Sequence, residues 1–214
     1  MNTPQLVLEP LRENRYDEAC ALVERGIHDP DWMPFEVPFT DAPSPRRELD
    51  AVGFWLSCWA GVSQHGWRLP FAVLCGGALV GVQDIAASGW VESRTVATGS
   101  WLGREHQGRG LGREMRAAVL HLALGHLGAE RAESCAFEDN TASRRVSEVL
   151  GYREAGLRTA DRRGEPAVQV TFAIDRDDWP ASAAAAIEVG VHGVDDRVLA
   201  QLGATLPNSG VDTD

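Results

Sequence analysis

Residues 100–116, SWLGREHQGRGLGREMR, carry the densest set of chemically capable groups in the chain. Glycines stand at 103, 108, 110 and 112, and Arg104, Arg109, Arg113 and Arg116 outnumber Glu105 and Glu114. Leu111, Met115, Ala118, Val119 and Leu122 then recur at helical spacing, so the glycine-rich stretch opens directly into an amphipathic helix. Such a junction aims unpaired backbone N–H groups and the positive end of a helix dipole at one point. Glycine also lets an anion come close to the main chain. The stretch is net positive inside a chain of formal net charge −11. It predicts a phosphate-bearing ligand.

Several ligand classes fall away. A P-loop needs a lysine, and all 20 basic residues here are arginine. The spacing is G-x-G-x-G after a hairpin-like pattern, which is a weak match to the dinucleotide fingerprint. The acidic balance argues against nucleic acid and favours a cationic partner such as an amine. The four cysteines, Cys20, Cys58, Cys75 and Cys135, have no paired spacing, so neither a metal site nor a disulfide framework is expected. Their apolar settings assign them to core packing rather than to nucleophilic chemistry. No apolar run approaches the roughly 20 residues of a membrane span. The start, MNTPQLVLEP, lacks the pattern of a secretory signal. A cytoplasmic protein with no membrane partner is expected.

The elements that must position these groups follow from periodicity. A first strand is predicted over Leu6–Leu11, a helix over Arg15–Arg25, and a second helix from Pro45 to about His65. Between the helices lies a Pro-rich, aromatic loop. Arg68–Cys75 and Leu79–Ala87 read as a hairpin turned at Gly76-Gly77. Further strands are predicted at Thr95–Leu102, Arg131–Glu138, Tyr152–Thr159 and Ala167–Ile174, with helices at Leu111–Leu127 and Thr141–Leu150. Composition shifts after Trp179-Pro180. Residues 1–179 therefore read as one domain and 180–214 as an extension with a short strand, one or two helical turns and a polar, partly disordered end.

Two motifs at this spacing resemble a known family. Gln107-Gly108-Arg109-Gly110-Leu111-Gly112 is similar to the Q/R-x-x-G-x-G/A motif of the GNAT superfamily of acyl-CoA-dependent N-acyltransferases. Asn140-Thr141-Ala142-Ser143, followed by Val146, Leu150, Gly151 and Tyr152, resembles a second element, found in the branch that holds the ribosomal-protein N-terminal acetyltransferases. The resemblance implies an α/β fold of the α+β type, with a mixed, splayed sheet of about six to seven strands flanked by helices. It implies acetyl-CoA or succinyl-CoA as acyl donor, no metal, an amine acceptor and a homo-oligomer. By the family layout the backbone of Trp101, Leu102 and Gly103 meets pantetheine and the thioester. The amides of Gln107, Gly108, Arg109, Gly110, Leu111 and Gly112, with Arg113 beside them, meet the pyrophosphate. Asn140 and Ser143 lie near the pantetheine arm, where each can equally cap the following helix. Ser147 occupies the position where many members carry a tyrosine that reprotonates the CoA thiolate.

Other roles stay open. Asp84, Glu92, Glu138 and His28 are the candidate bases, each also readable as an ordinary surface or ion-pairing group. An α-amine of pKa near 8 loses its proton to water far more easily than a lysine near 10.4. The run HDPDWMPFEVPFT, with GSWLG and EMRAAVL, also resembles an actinobacterial branch that uses succinyl-CoA. A succinyl carboxylate would need a cation or a set of donors, for which Arg94, His28 and Trp32 are the candidates. The expected function is direct transfer of an acetyl or succinyl group from CoA to a primary amine. The second reading is a CoA-binding protein without turnover.

Overall fold

A computed structural model describes residues 1–204. β1 (Leu6–Pro10), β2 (Gly66–Cys75), β3 (Ala78–Ser88), β4 (Thr95–Leu102), β5 (Arg131–Phe137), β6 (Arg153–Arg162) and β7 (Glu165–Asp175) form one seven-stranded sheet. Its order is β1-β2-β3-β4-β5-β7-β6. Gly76 and Gly77, at φ 58° and 85°, make the tight turn that holds β2 against β3.

Every neighbouring pair is antiparallel except β4–β5. Those two strands run parallel and pair only from Thr95 to Ala97 against Arg131 to Glu133. Beyond Ala97 they part, while β4 stays bonded to β3 as far as Leu102. The sheet therefore contains a fork whose β4 edge is open from Thr98 onward.

Two apolar clusters lie against the sheet. α1 (Glu13–Arg25) and α2 (Arg46–Ala60) bring Tyr16, Leu22 and Trp55 against Ala72, Leu74 and Val82. α4 (Leu111–Leu120) and α5 (Thr141–Val149) bring Leu111, Met115, Val119 and Leu150 against Val73, Val80 and Val96. Each helix is amphipathic because the sheet offers it one apolar face. Among the described residues the short α3 (Trp90–Ser93) and α6 (Asp196–Leu202) complete a set of six helices, and none is long and apolar enough to cross a membrane.

Several boundaries differ from expectation. α2 stops at Ala60, because Gly61 caps it and Ser63 turns back onto Gly66. The helix expected through Leu127 leaves α geometry at His121 and ends in a wider π turn over His121–His126. β6 and β7 run longer than predicted and meet at Arg163 and Gly164, both at positive φ. Beyond Trp179, Asn2 bridges to Gly190, and α6 buries Leu199 and Leu202. The carbonyls of Leu202 and Gly203 accept from the indoles of Trp67 and Trp90. The polar end, residues 205–214, lies outside the described residues.

Candidate active site

The glycine-rich turn is rigid by construction. Gly108 and Gly110 sit at φ 72° and 83°, in the left-handed region that a side chain would strain. The Gln107 carboxamide donates to the carbonyls of Ile27 (2.8 Å) and Leu102 (2.9 Å), and the Arg104 amide donates to Gly26 (3.0 Å). These bonds tie the turn to the end of α1 and to the end of β4. The amides of Arg113 and Glu114 fold back onto the Gly110 carbonyl at 3.1 and 3.2 Å. Those of Gly108, Arg109, Gly110, Leu111 and Gly112 have no acceptor among the described residues. Consecutive free donors at a helix N-terminus form an anion cradle.

A cavity of about 920 Å³ runs from this cradle into the fork. Arg104, Arg113 and Arg145 line its mouth, whereas Arg109 points to solvent outside it. Ser100, Trp101 and Leu102 form one wall, Ala136, Asn140, Ser143 and Val146 another, and Met115 and Arg116 the floor. The expected cofactor residues are thus largely brought together, with two corrections among the amides: that of Gln107 is taken by the Arg104 carbonyl at 3.2 Å and that of Gly103 by the Val80 carbonyl at 3.0 Å. The side chain of Leu111 is in the core and that of Arg109 in solvent, while the amides of both stay unengaged. Asn140 caps α5 by accepting from the Ser143 amide at 3.1 Å, and it faces the cavity at the same time.

Ser147 stands behind this wall. It is 1% exposed, and its Oγ is 3.4 Å from both Arg116 Nη1 and the Ser143 carbonyl. Arg116 is the group that reaches the cavity, although it is itself only 4% exposed. Its Nη1 donates to Ser134 Oγ at 2.8 Å and its Nη2 to Ser100 Oγ at 3.4 Å. In the sequence Arg116 is one arginine of a basic run. The available signal was its place one turn after Gly112 and beside Val119, at the edge of the apolar stripe. Both Glu114 and Arg116 are buried because the N-terminal segment and α5 close over the flanks of α4; Glu114 is bonded to Thr3 and Gln5.

The opposite mouth is roofed by the aromatic loop. Arginines of the β6–β7 hairpin strap this loop down: Arg162 reaches the Met33 carbonyl (2.7 Å) and Asp139 (2.9 Å), and Arg163 reaches Asp41 (2.7 Å). Arg158 pairs with Glu36, and the Trp32 indole donates to Asp139 at 2.9 Å. Planar guanidinium forks suit such multiple bonding. His28 and Trp32 line the cavity, with both ring nitrogens of His28 occupied by the Asp29 carbonyl and Thr40 Oγ1 at 2.7 Å each.

Of the candidate carboxylates, Asp84 is the one beside the fork. Burial pushes its carboxyl up, opposed by Arg68, which donates to it at 3.0 Å. Glu92 and Glu138 are exposed and do not line the cavity.

Two expectations are corrected here. Arg94, the arginine among the candidates to receive a succinyl carboxylate, follows α3 at φ 45°, lies over Trp90, and donates to the Gly203 carbonyl at 2.9 Å. It serves the C-terminal segment and is absent from the cavity wall. Cys135, assigned to the core, is exposed and lines the cavity, because β5 has lost its β4 neighbour at that point.

The comparisons with known proteins agree with this geometry. The family model described as "Acetyltransferase (GNAT) domain" matches residues 5–153, and the chain belongs to that family. A solved structure of RimL, a ribosomal L7/L12 alpha-N-protein acetyltransferase in complex with coenzyme A, is 18% identical with a TM-score of 0.68, covering 81% of this chain and 95% of that one. RimJ of Mycobacterium smegmatis in complex with CoA-disulfide is 23% identical at a TM-score of 0.65, covering 84% and 86%. A GNAT-family acetyltransferase from Bacillus anthracis is 16% identical at 0.66, covering 83% and 98%. The fold is shared across all three.

Proposed function

We propose that the chain transfers an acetyl group from acetyl-CoA directly to a primary amine: a protein N-terminus, a lysine side chain or a small molecule. The observation that carries this is the run of five unengaged amides, Gly108 to Gly112, at one end of a cavity whose other end is the open β4–β5 fork. The amides and Arg113 take the pyrophosphate, and the pantetheine arm lies along Trp101 and Leu102 past Asn140 and Ser143. The thioester then meets the amine at the fork, where holding both reactants in line supplies most of the acceleration.

Acetyl is favoured over succinyl because the other arginines near the acyl end are engaged. Arg68 is paired with Asp84, Arg158 with Glu36, and Arg94 is turned away. A buried terminal carboxylate would have to take the charge of Arg116, which this reading keeps for the thioester. Titration with CoA, followed by thiol release over a panel of amines, tests the proposal. Micromolar binding with amine-dependent release is expected. Binding without release under any amine would leave a CoA-binding protein without turnover, and absence of binding would overturn both readings.

A further inference from the structure

Arg116 has more donors than the protein uses. Among the described residues no carboxylate lies within ion-pairing distance of it, and its hydrogen bonds run to three serine hydroxyls, with the Tyr152 phenol beside it. Two of these, to Ser100 and Ser147, are at 3.4 Å, the outer limit of a hydrogen bond. Its Nε has no partner at all. A buried guanidinium left this way is costly to the resting protein. If it served only to bridge the fork, carbonyls or a carboxylate would be the economical partners. Serine hydroxyls instead leave its charge whole.

We propose that Arg116 is a catalytic residue that holds the negative charge arriving on the CoA sulfur when the thioester breaks. This rests on the reading that the cavity takes a CoA thioester. The neutral amine adds to the thioester carbonyl carbon, forming the C–N bond and an oxyanion. Collapse restores the carbonyl and breaks the C–S bond, whose electron pair leaves with sulfur as thiolate. The new amide nitrogen loses its extra proton to solvent, and the thiolate takes one from solvent on release. Ser147 then acts as a positioning residue behind Arg116. A serine hydroxyl is a far weaker acid than a thiol at about 8.5, so proton transfer from it to sulfur would run uphill. A guanidinium asks for no transfer.

Two buried titratable groups share the floor with Arg116, the Tyr152 phenol and the Asp84 carboxyl. Tyr152 is buried beside it, and burial pushes its phenol up, so it stays neutral. Asp84 is bound to Arg68 and Glu133 to Arg131. On α5, Arg145 and Glu148 face each other at 3.9 Å, and on α4, Glu114 is held by Thr3 and Gln5.

The test is the titration of the thiol of bound CoA, followed by thiolate absorbance, beside calorimetry with CoA and desulfo-CoA. In the wild-type protein the bound thiol is expected to titrate about one to three pH units below free CoA, the effect of one nearby cation. Arg116→Met should return it to the free value or above, with desulfo-CoA affinity held within about twofold. Arg116→Lys should recover much of the shift. A wild-type thiol that titrates at or above the free value overturns the proposal, and needs no variant to fold. An unmoved thiol in Arg116→Met, with succinyl-CoA use falling about tenfold relative to acetyl-CoA, overturns it in favour of a carboxylate subsite. Failure of both CoA and desulfo-CoA to bind removes the reading of the cavity itself.

Discussion

The two ends of the cavity carry positive charge in opposite ways. At the mouth it is plural and wet: five backbone amides, a helix end and the side chains of Arg104, Arg113 and Arg145. At the floor it is a single guanidinium, nearly sealed, with hydroxyls for company. A permanent ligand charge such as a diphosphate suits many solvated donors, because each is cheap to leave empty. A charge that exists only during reaction suits one preorganised donor in a dry site, where it acts most strongly. The mouth is built for binding and the floor for turnover, and variants at the two ends should separate those quantities.

The largest effect is expected at the mouth. Gly110→Asp and Gly112→Asp place a carboxylate against the bound diphosphate and should weaken CoA about a hundredfold or more, with circular dichroism unchanged. Gly112 is the cleaner of the two. A Cβ there meets Leu102 and Val146 at an ordinary 3.8 Å, whereas Gly110 adds the strain of its positive φ. Unchanged affinity in Gly112→Asp would break the assignment of the mouth.

At the floor, Ser147→Ala should lower kcat about tenfold, the worth of one lost hydrogen bond to a charged group, while CoA affinity stays put. Weakened CoA binding with intact kcat would erase the distinction between the ends. The roof gives a smaller signal. Arg162→Ala cuts the tie between the loop at Met33 and Asp139 before α5 and should raise KM for the amine about fivefold, leaving both CoA affinity and kcat alone.

The smallest effect is on stability. Because burial raises the Asp84 carboxyl, the folded protein holds that proton more tightly than the unfolded chain. Its stabilising share is complete below the ordinary value of about 3.9 and is lost as pH rises through the higher folded value. Asp84→Asn lacks this loss. Its melting temperature relative to wild type should therefore climb by roughly a few degrees across that window. A difference that shrinks with rising pH would contradict the assigned cause.

The mouth was legible in the sequence because its chemistry is backbone chemistry. Glycines at 108, 110 and 112 ahead of an amphipathic run can hardly be anything but a turn entering a helix. The seven strands were legible for the same reason, each marked by local alternation or a turn. The floor was not. In the sequence Arg116 is one arginine of a basic run, and its burial comes from β4, β5 and α5, whose Ser100, Ser134 and Ser147 close around it. Cys135 failed likewise, since the fork that exposes it is a relation between β4 and β5 that neither strand records alone. Arg94 was assigned to the cavity from the family layout, while its actual partner, the Gly203 carbonyl, lies 109 positions along the chain. Long-range contacts decided each of these.

The central claim is that the glycine-rich turn receives a CoA thioester through its own amides, and amide hydrogen exchange reads those amides directly. On addition of CoA, exchange should slow in the segment holding Gly108 to Gly112 and along the open β4 edge from Thr98 to Leu102, with little change in β6 or α6. CoA that binds while the amides of Gly108 to Gly112 exchange at their free rate would contradict the account.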